Sequence, residues 1–224
     1  DASLGRLQRN CVELYQLHNR IHNVSDKDNF SAKDILKRGG VADAMEKFKS
    51  DERIKSIGIT ALGDIDAINE VVLSDCFDVA QIYYNLLNPS ASYNSSRNWN
   101  DHNFSNLINN CISKDMGLMN IRIYAAGYLA TDKRHGREIP VTFGINENEL
   151  NRSVEKINSI LDDVKGTKAQ KALRYGLSNK DMSTIVIGLA NIEHLEEALE
   201  GYDQGHLDEE TLMRIEELQN KNFN

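Results

Sequence analysis

The chain has few cysteines, no long apolar run and no excess of positive charge, and each shortage removes a class of protein. Cys11, Cys76 and Cys111 are odd in number and form no Cys-x-x-Cys pair or Cys/His cluster, so neither a disulfide framework nor a zinc site is indicated. Such usage suits a reducing, cytoplasmic setting. No apolar stretch approaches the roughly 18 residues of a membrane span, and a mean hydropathy of −0.50 points the same way. The opening residues DASLGRLQRN are charged, without the apolar core of a secretory signal, and contain no initiator Met. A net charge of −8 opposes the long-range attraction to phosphates that nucleic-acid binding exploits. The basic cluster Lys133, Arg134 and Arg137 is short and reads as a solvated loop.

What remains is an ordinary globular composition, 40% hydrophobic and 27% charged over 224 residues, enough for one sizeable domain. Short apolar runs alternate with longer stretches of helical periodicity, the rhythm of β/α units on a parallel sheet. Strands are expected at 12–17, 55–60, 79–84, 120–124 and 184–188. Between them, Val41, Met45 and Phe48 form one inward stripe. Asp64 is a candidate N-cap before Ile68, Val71 and Val72, and Asp101 a candidate cap for a helix burying Phe104, Leu107, Ile108 and Cys111. Val154, Ile157, Ile160 and Leu161, then Ala169, Ala172 and Leu173, mark two more helices. NIEHLEEALEG reads as a helix closed by Gly201, and a terminal helix turns Leu212, Ile215 and Leu218 inward. The Ser, Asn and Tyr-rich stretch 89–99 and the stretch 131–146 read as loops, either functional segments or surface excursions. Five parallel strands do not close a barrel of eight, so periodicity alone leaves an open doubly wound sheet and part of a (β/α)8 barrel equally open.

Specific phrases separate the two. VELYQLHNRIH, KSIGITALGD, VAQIYYNLLNPSA, MNIRIYAAGYLA and ALRYGLSNKDMSTIVIGLANIEHLEEAL follow one another in order and at the spacing of strands four to eight of aldo-keto reductases. The whole chain resembles that family, and NLLNPSA, NIR-x-x-AAG and GLAN resemble its aldose dehydrogenase branch. The resemblance implies a (β/α)8 TIM-type barrel of which 1–224 is a single partial domain carrying about the last five β/α units, the first three being absent. An isolated piece of this kind is expected to fold poorly or to associate through its open edge.

The resemblance also implies a site. His18 takes the place of the active-site histidine at the mouth of the fourth strand, with Glu13 standing where Asp is more usual. Thr60 takes the hydroxyl position that holds the nicotinamide carboxamide, followed by Ala61 where Asn is common. Gln81 takes the place of the Gln on the same amide, and its parity with Val79 and Tyr83 suits inward projection. Tyr124 corresponds to the aromatic that stacks on the nicotinamide ring, ordinary barrel packing being the alternative. Gly188, Leu189 and Asn191 fall at the helix N-terminus that faces the cofactor's phosphates. His194 replaces the Arg that grips a 2′-phosphate, Glu197 matches the adenosine-contacting Glu, and Ala198 replaces an Asn. A mostly neutral His in place of a permanent cation favours NAD over NADP. The family's Asp, Tyr and Lys, which handle the proton, belong to units one to three. The function implied is NAD(P)-dependent hydride transfer with a sugar or other small carbonyl or alcohol substrate, without nucleic-acid or membrane partners. The alternative is a non-catalytic barrel relative that binds or regulates.

Overall fold

A computed structural model describes residues 2–94, 102–133 and 146–224. They form two compact units, one of Asp1–Ile82 with Asn106–Met119, the other of Tyr83–Ser105 with Asn120–Asn224.

The first unit begins with α1 (Ala2–Leu7), β1 (Val12–Leu17), β2 (Arg20–His22), β3 (Asn29–Ser31), α2 (Ala32–Leu36) and α3 (Val41–Ser50). It continues through β4 (Ile54–Ala61), α4 (Ile65–Val72), β5 (Val79–Tyr83) up to Ile82, α5 (Leu107–Ser113) and β6 (Gly117–Ile121) up to Met119, the last residues of β5 and β6 belonging to the second unit. β1 and β4 run parallel from Val12 beside Ile54 to Leu17 beside Ile59, and β4 and β5 from Gly58 beside Val79 to Ala61 beside Ile82. Gly117 N–H donates to Asp78 C=O at 2.9 Å and sets β6 beside β5.

Strand parity divides this sheet into two unlike faces. Ile57, Ile59, Ala80, Ile82 and Leu118 are buried, together with Ile35, Ile68, Val71, Ile108 and Cys111 from the helices. Each such Ile or Leu contributes about 1.5–3 kcal/mol by leaving water. The opposite face carries Leu14, Ser56, Gly58 and Val79 toward its base and Gln16, Thr60 and Gln81 toward the C-terminal ends of the strands. At the base of the sheet Lys49 Nζ reaches both carboxylate oxygens of Asp78 at 2.9 Å, and Ile57 N–H donates to the same group at 2.8 Å, tying α3 to β4 and β5.

At the other end of β4 the chain turns on Gly63, whose φ of +130° admits no ordinary side chain; a Cβ there would lie 1.9 Å from Ile21 C=O. The close approach lets Ile21 N–H donate to Leu62 C=O and Asp64 N–H to Ile21 C=O, both at 2.8 Å. Asp64 occupies the N-cap of α4 as expected, but its carboxylate does not cap the helix: it accepts from Asn23 N–H at 2.9 Å and pairs with His22 at 3.2 Å.

The second unit carries α6 (Glu147–Ile160), α7 (Lys168–Leu177), β7 (Thr184–Ile185), α8 (Ile192–Asp203) and α9 (Glu209–Asn220). Val186 N–H donates to Asn120 C=O at 2.8 Å, which aligns the end of β7 with the end of β6. The strand order is thus β1-β4-β5-β6-β7, a five-stranded sheet of a partial β/α barrel. α7 opens with a full capping box, in which Thr167 Oγ1 accepts from Gln170 N–H while Gln170 Oε1 accepts from Thr167 N–H. Tyr84 and Tyr175 stack with ring centres 5.3 Å apart and join hydroxyls at 3.0 Å, and Gln219 of α9 donates to Tyr175 Oη and to Leu86 C=O. Desolvation holds both phenols above their ordinary range.

Several boundaries differ from the sequence reading. The strand expected at 120–124 lies three residues earlier, because Arg122 (φ 62°) enters the left-handed region immediately after Ile121, and Ala125 and Ala126 repeat it. The last strand stops at Ile185 rather than reaching Gly188. Gly201 does not close α8; the helix runs on to Asp203, with Gly205 (φ +71°) after it. Gly201 is instead small so that α8 can lie on Gln170, 3.0 Å from where a Cβ would sit. In α9 Ile215 is buried, but Thr211 and Gln219 are its buried neighbours while Leu212 and Leu218 are only half-buried. α5 starts at Leu107 with Asn106 at its N-cap, rather than under Asp101, which lies outside the described residues. Among the described residues, no helix is long and apolar enough to cross a membrane, and no group of three His, Cys, Asp or Glu could hold a metal ion. All three cysteines are free thiols, and burial pushes that of Cys111 up to about 12.

Candidate functional site

Adjacent parallel strands place three of the expected residues side by side in the first unit. His18 follows directly on β1, whose last residue Leu17 pairs with Ile59, so its neighbour across the ladder is Thr60; Thr60 in turn pairs with Gln81. The side chains complete what the backbone register begins. His18 Nδ1 lies 2.8 Å from Thr60 Oγ1, and Thr60 Oγ1 donates to Gln81 Oε1 at 2.8 Å. Thr60 is 2% exposed, Gln81 half-buried and His18 exposed. The row is therefore deepest at Thr60 and opens toward both ends. Among the described residues the far atoms, His18 Nε2 and Gln81 Nε2, take no protein partner. An imidazole nitrogen and a carboxamide N–H held this way serve as one acceptor or donor and one donor toward a small polar ligand.

A fourth residue on the same face went unremarked in the sequence. Gln16 shares the parity of His18, lies over Gly58, where a Cβ would come within 3.1 Å of it, and donates to Met119 Sδ at 3.7 Å. The available signal was a Gln two residues before His18, at the same side-chain parity.

In the second unit the expected residues hold one another or the scaffold. Tyr124 sits beyond β6, leading a 3₁₀ turn at Ala125–Gly127, and its half-buried phenol is pushed up to about 12 by desolvation and by the Glu197 carboxylate. Glu197 accepts from Thr167 Oγ1 at 2.6 Å, and its backbone carbonyl accepts from Gln170 Nε2 at 3.1 Å, locking α8 to α7. Asn191 caps α8 by accepting from His194 N–H at 3.0 Å, while His194 Nδ1 accepts from Ala190 N–H at 3.3 Å, a reciprocal arrangement in the manner of a capping box. Gly188 and Leu189 are exposed, with open space where a Gly188 Cβ would point. Backbone N–H groups at this helix start favour an anion, although the first turn carries Glu193 and no basic side chain.

The loop after β5 is far more ordered than a surface excursion. Asn85, Asn88 and Ser90 are fully buried. Asn85 Oδ1 accepts from Leu87 and Asn88 N–H and its Nδ2 donates to Arg122 C=O, while Asn88 holds Ser90 and His102 C=O. Asn-x-x-Asn-Pro is a turn-forming pattern of side chain to backbone bonds. Residues 95–99, which complete the expected loop, lie outside the described residues with 100 and 101, as do 134–145 of the second loop and with them Arg134 and Arg137 of the basic cluster; Lys133 is exposed. A cavity of about 530 Å³ opens beside this turn, lined by Tyr84, Tyr93, Tyr175, Asn179, Glu216 and Gln219 among others. None of the residues expected to hold cofactor or substrate lines it.

The polar side chains of the first unit thus gather at the C-terminal ends of parallel strands, the end at which β/α barrels carry their sites. The chain belongs to the aldo/keto reductase family, whose profile matches residues 1–220. Solved structures of similar fold include the aldo-keto reductase AKR11C1 from Bacillus halodurans. Its apo form is 18% identical with a TM-score of 0.70 over 97% of this chain and 65% of that one. Its holo form is 18% identical, with a TM-score of 0.69 over 97% and 64%. The chain thus spans just under two thirds of the length of these structures. A search of curated proteins found no match.

Proposed function

We propose that the chain provides the histidine-bearing and nicotinamide-holding part of an NAD(P)-linked oxidoreductase of the aldose dehydrogenase kind, acting on a sugar or other small carbonyl or alcohol. The observation that carries this reading is the hydrogen-bonded row His18, Thr60 and Gln81 at the ends of β1, β4 and β5. The donor set suits a carboxamide: Gln81 Nε2 is available to an amide oxygen, and Thr60, bonded to both neighbours, holds that amide in place on rigid strands. When bound, the nicotinamide supplies or accepts the hydride. His18, exposed at the edge of the row, orients the reacting oxygen of the substrate. Tyr124 offers an apolar ring face, and the start of α8 at Gly188, Leu189 and Asn191 offers backbone N–H groups to a pyrophosphate. With His194 folded back onto Ala190 and no cation in that turn, nothing there rewards a 2′-phosphate, which favours NAD over NADP.

Titration of the chain with NADH and NADPH, followed by nicotinamide fluorescence, tests the reading. NADH is expected to bind more tightly, and Gln81→Leu to weaken it about tenfold, the worth of one hydrogen bond from a neutral side chain. Equal binding by wild type and Gln81→Leu would count against the site. A second reading, a barrel relative that binds without turnover, draws support from Glu197 and His194, which serve the scaffold rather than pointing at a ligand. It predicts NADH binding with no sugar-dependent change in absorbance.

A further inference from the structure

Helical spacing puts Leu212, Glu216 and Gln219 on one face of α9, and all three line the cavity of about 530 Å³ in the second unit. The wall they share is aromatic, built from the buried rings of Tyr84, Tyr93 and Tyr175. Gln219 is 3% exposed, and its amide has one orientation open to it. Leu86 C=O can only accept, so the amide nitrogen faces it at 2.9 Å, and the second N–H goes to Tyr175 Oη at 3.2 Å. Both donors are thereby used. Gln219 Oε1 takes no partner among the described residues, so the one acceptor of a buried amide is left to the cavity. We propose that this cavity is a binding site for a small organic cation, whose primary ammonium group lies between Gln219 Oε1 and the Glu216 carboxylate against the tyrosine wall.

The chemistry of the lining selects that class. A buried amide oxygen without a partner is unfavourable, and a ligand that donates to it relieves the cost. An ammonium brings three donors together with a charge. Glu216, three residues before Gln219 and exposed at the rim, carries the opposite charge. Burial and, less strongly, the Glu216 carboxylate hold the Tyr84 phenol above its ordinary range, so the ring stays neutral and its face attracts a cation. No described residue lining the cavity is basic, so an anion finds no counter-charge there. The volume of about 530 Å³ suits a small molecule and leaves room for an apolar body behind the ammonium, which Leu212 can cover. The site shares no residue with the His18, Thr60 and Gln81 row and stands apart from the cofactor reading.

The test is isothermal titration calorimetry of the 224-residue chain at neutral pH with pentylammonium, tetramethylammonium, pentanoate and sorbitol. Pentylammonium should bind and should shift the ring resonances of Tyr84 and Tyr175 in a proton spectrum. Tetramethylammonium, a cation without an N–H, should bind more weakly, and pentanoate and sorbitol should give no heat of binding. Glu216→Gln should weaken pentylammonium about tenfold, the worth of a hydrogen bond to a charged group at a half-open site. Glu209→Gln, on the same helix but outside the lining, should leave the affinity unchanged. Gln219→Met keeps the side chain's length, removes the acceptor and should cost a similar factor. If that variant does not fold, the exposed Glu216 position still decides the question. Absence of pentylammonium binding, tighter binding of tetramethylammonium, or equal binding of pentanoate or sorbitol would overturn the proposal. So would equal losses in Glu216→Gln and Glu209→Gln, which mark a general attraction to an acidic surface.

Discussion

The two units treat their polar residues in opposite ways. In the first, His18, Thr60 and Gln81 bond to one another and keep an outward nitrogen at each end of the row. In the second, Asn191, His194 and Glu197 bond to helix starts and to a neighbouring helix. Residue types alone do not separate these cases, since each set contains an imidazole and an amide. The difference is architectural. Parallel strands set successive side chains shoulder to shoulder on one face, where they meet each other before they meet the backbone. A helix start offers unpaired N–H groups within reach, and any short polar side chain there is drawn to satisfy them.

That contrast predicts large stability effects where side chains or backbone serve the scaffold and small ones where they serve the site. The largest should come from Gly63→Ala, which forces a Cβ into the Ile21 carbonyl at a positive φ and detaches β2 from the end of β4. A loss of about 3 kcal/mol in urea unfolding is expected. Asn85→Ala leaves two backbone N–H groups and the Arg122 carbonyl without their partner inside the second unit, and should cost about 2 kcal/mol. Thr167→Val removes the α7 cap and the bond to Glu197. About 1 kcal/mol is expected, a fall of roughly 2–4 °C in Tm for a chain of this size. Should Thr167→Val instead leave the melting curve unmoved while weakening NADH binding, the second unit's polar residues belong to the site and the contrast is wrong.

Much of this was legible in the sequence because parallel strands are written in simple parity. β1 falls where its Val and Leu residues put it, and Thr60 and Gln81 end on one face as alternation requires. The misses have a common cause in backbone conformations that composition does not encode. Ile121, Ile123 and Tyr124 look like strand, yet a left-handed Arg122 ends the ladder between them. Gly201 looks like a helix stop, yet it is a contact surface for Gln170. Stretch 89–99 is polar enough to suggest solvent, but Asn85 and Asn88 supply internal partners that bury its first residues. His194 and Glu197 show the limit most clearly: order along the chain located them, while only their hydrogen bonds reveal what they hold.

The central claim is that the His18, Thr60 and Gln81 row is a site and the Thr167 and Glu197 pair a support. One paired measurement addresses it directly, with NADH affinity and melting temperature determined on wild type, Thr60→Val and Thr167→Val. The account predicts that Thr60→Val loses about tenfold in affinity, the equivalent of about 1.4 kcal/mol, with Tm nearly unchanged, whereas Thr167→Val lowers Tm and leaves affinity within about twofold. The reverse pattern, with affinity following Thr167 and stability following Thr60, would contradict it.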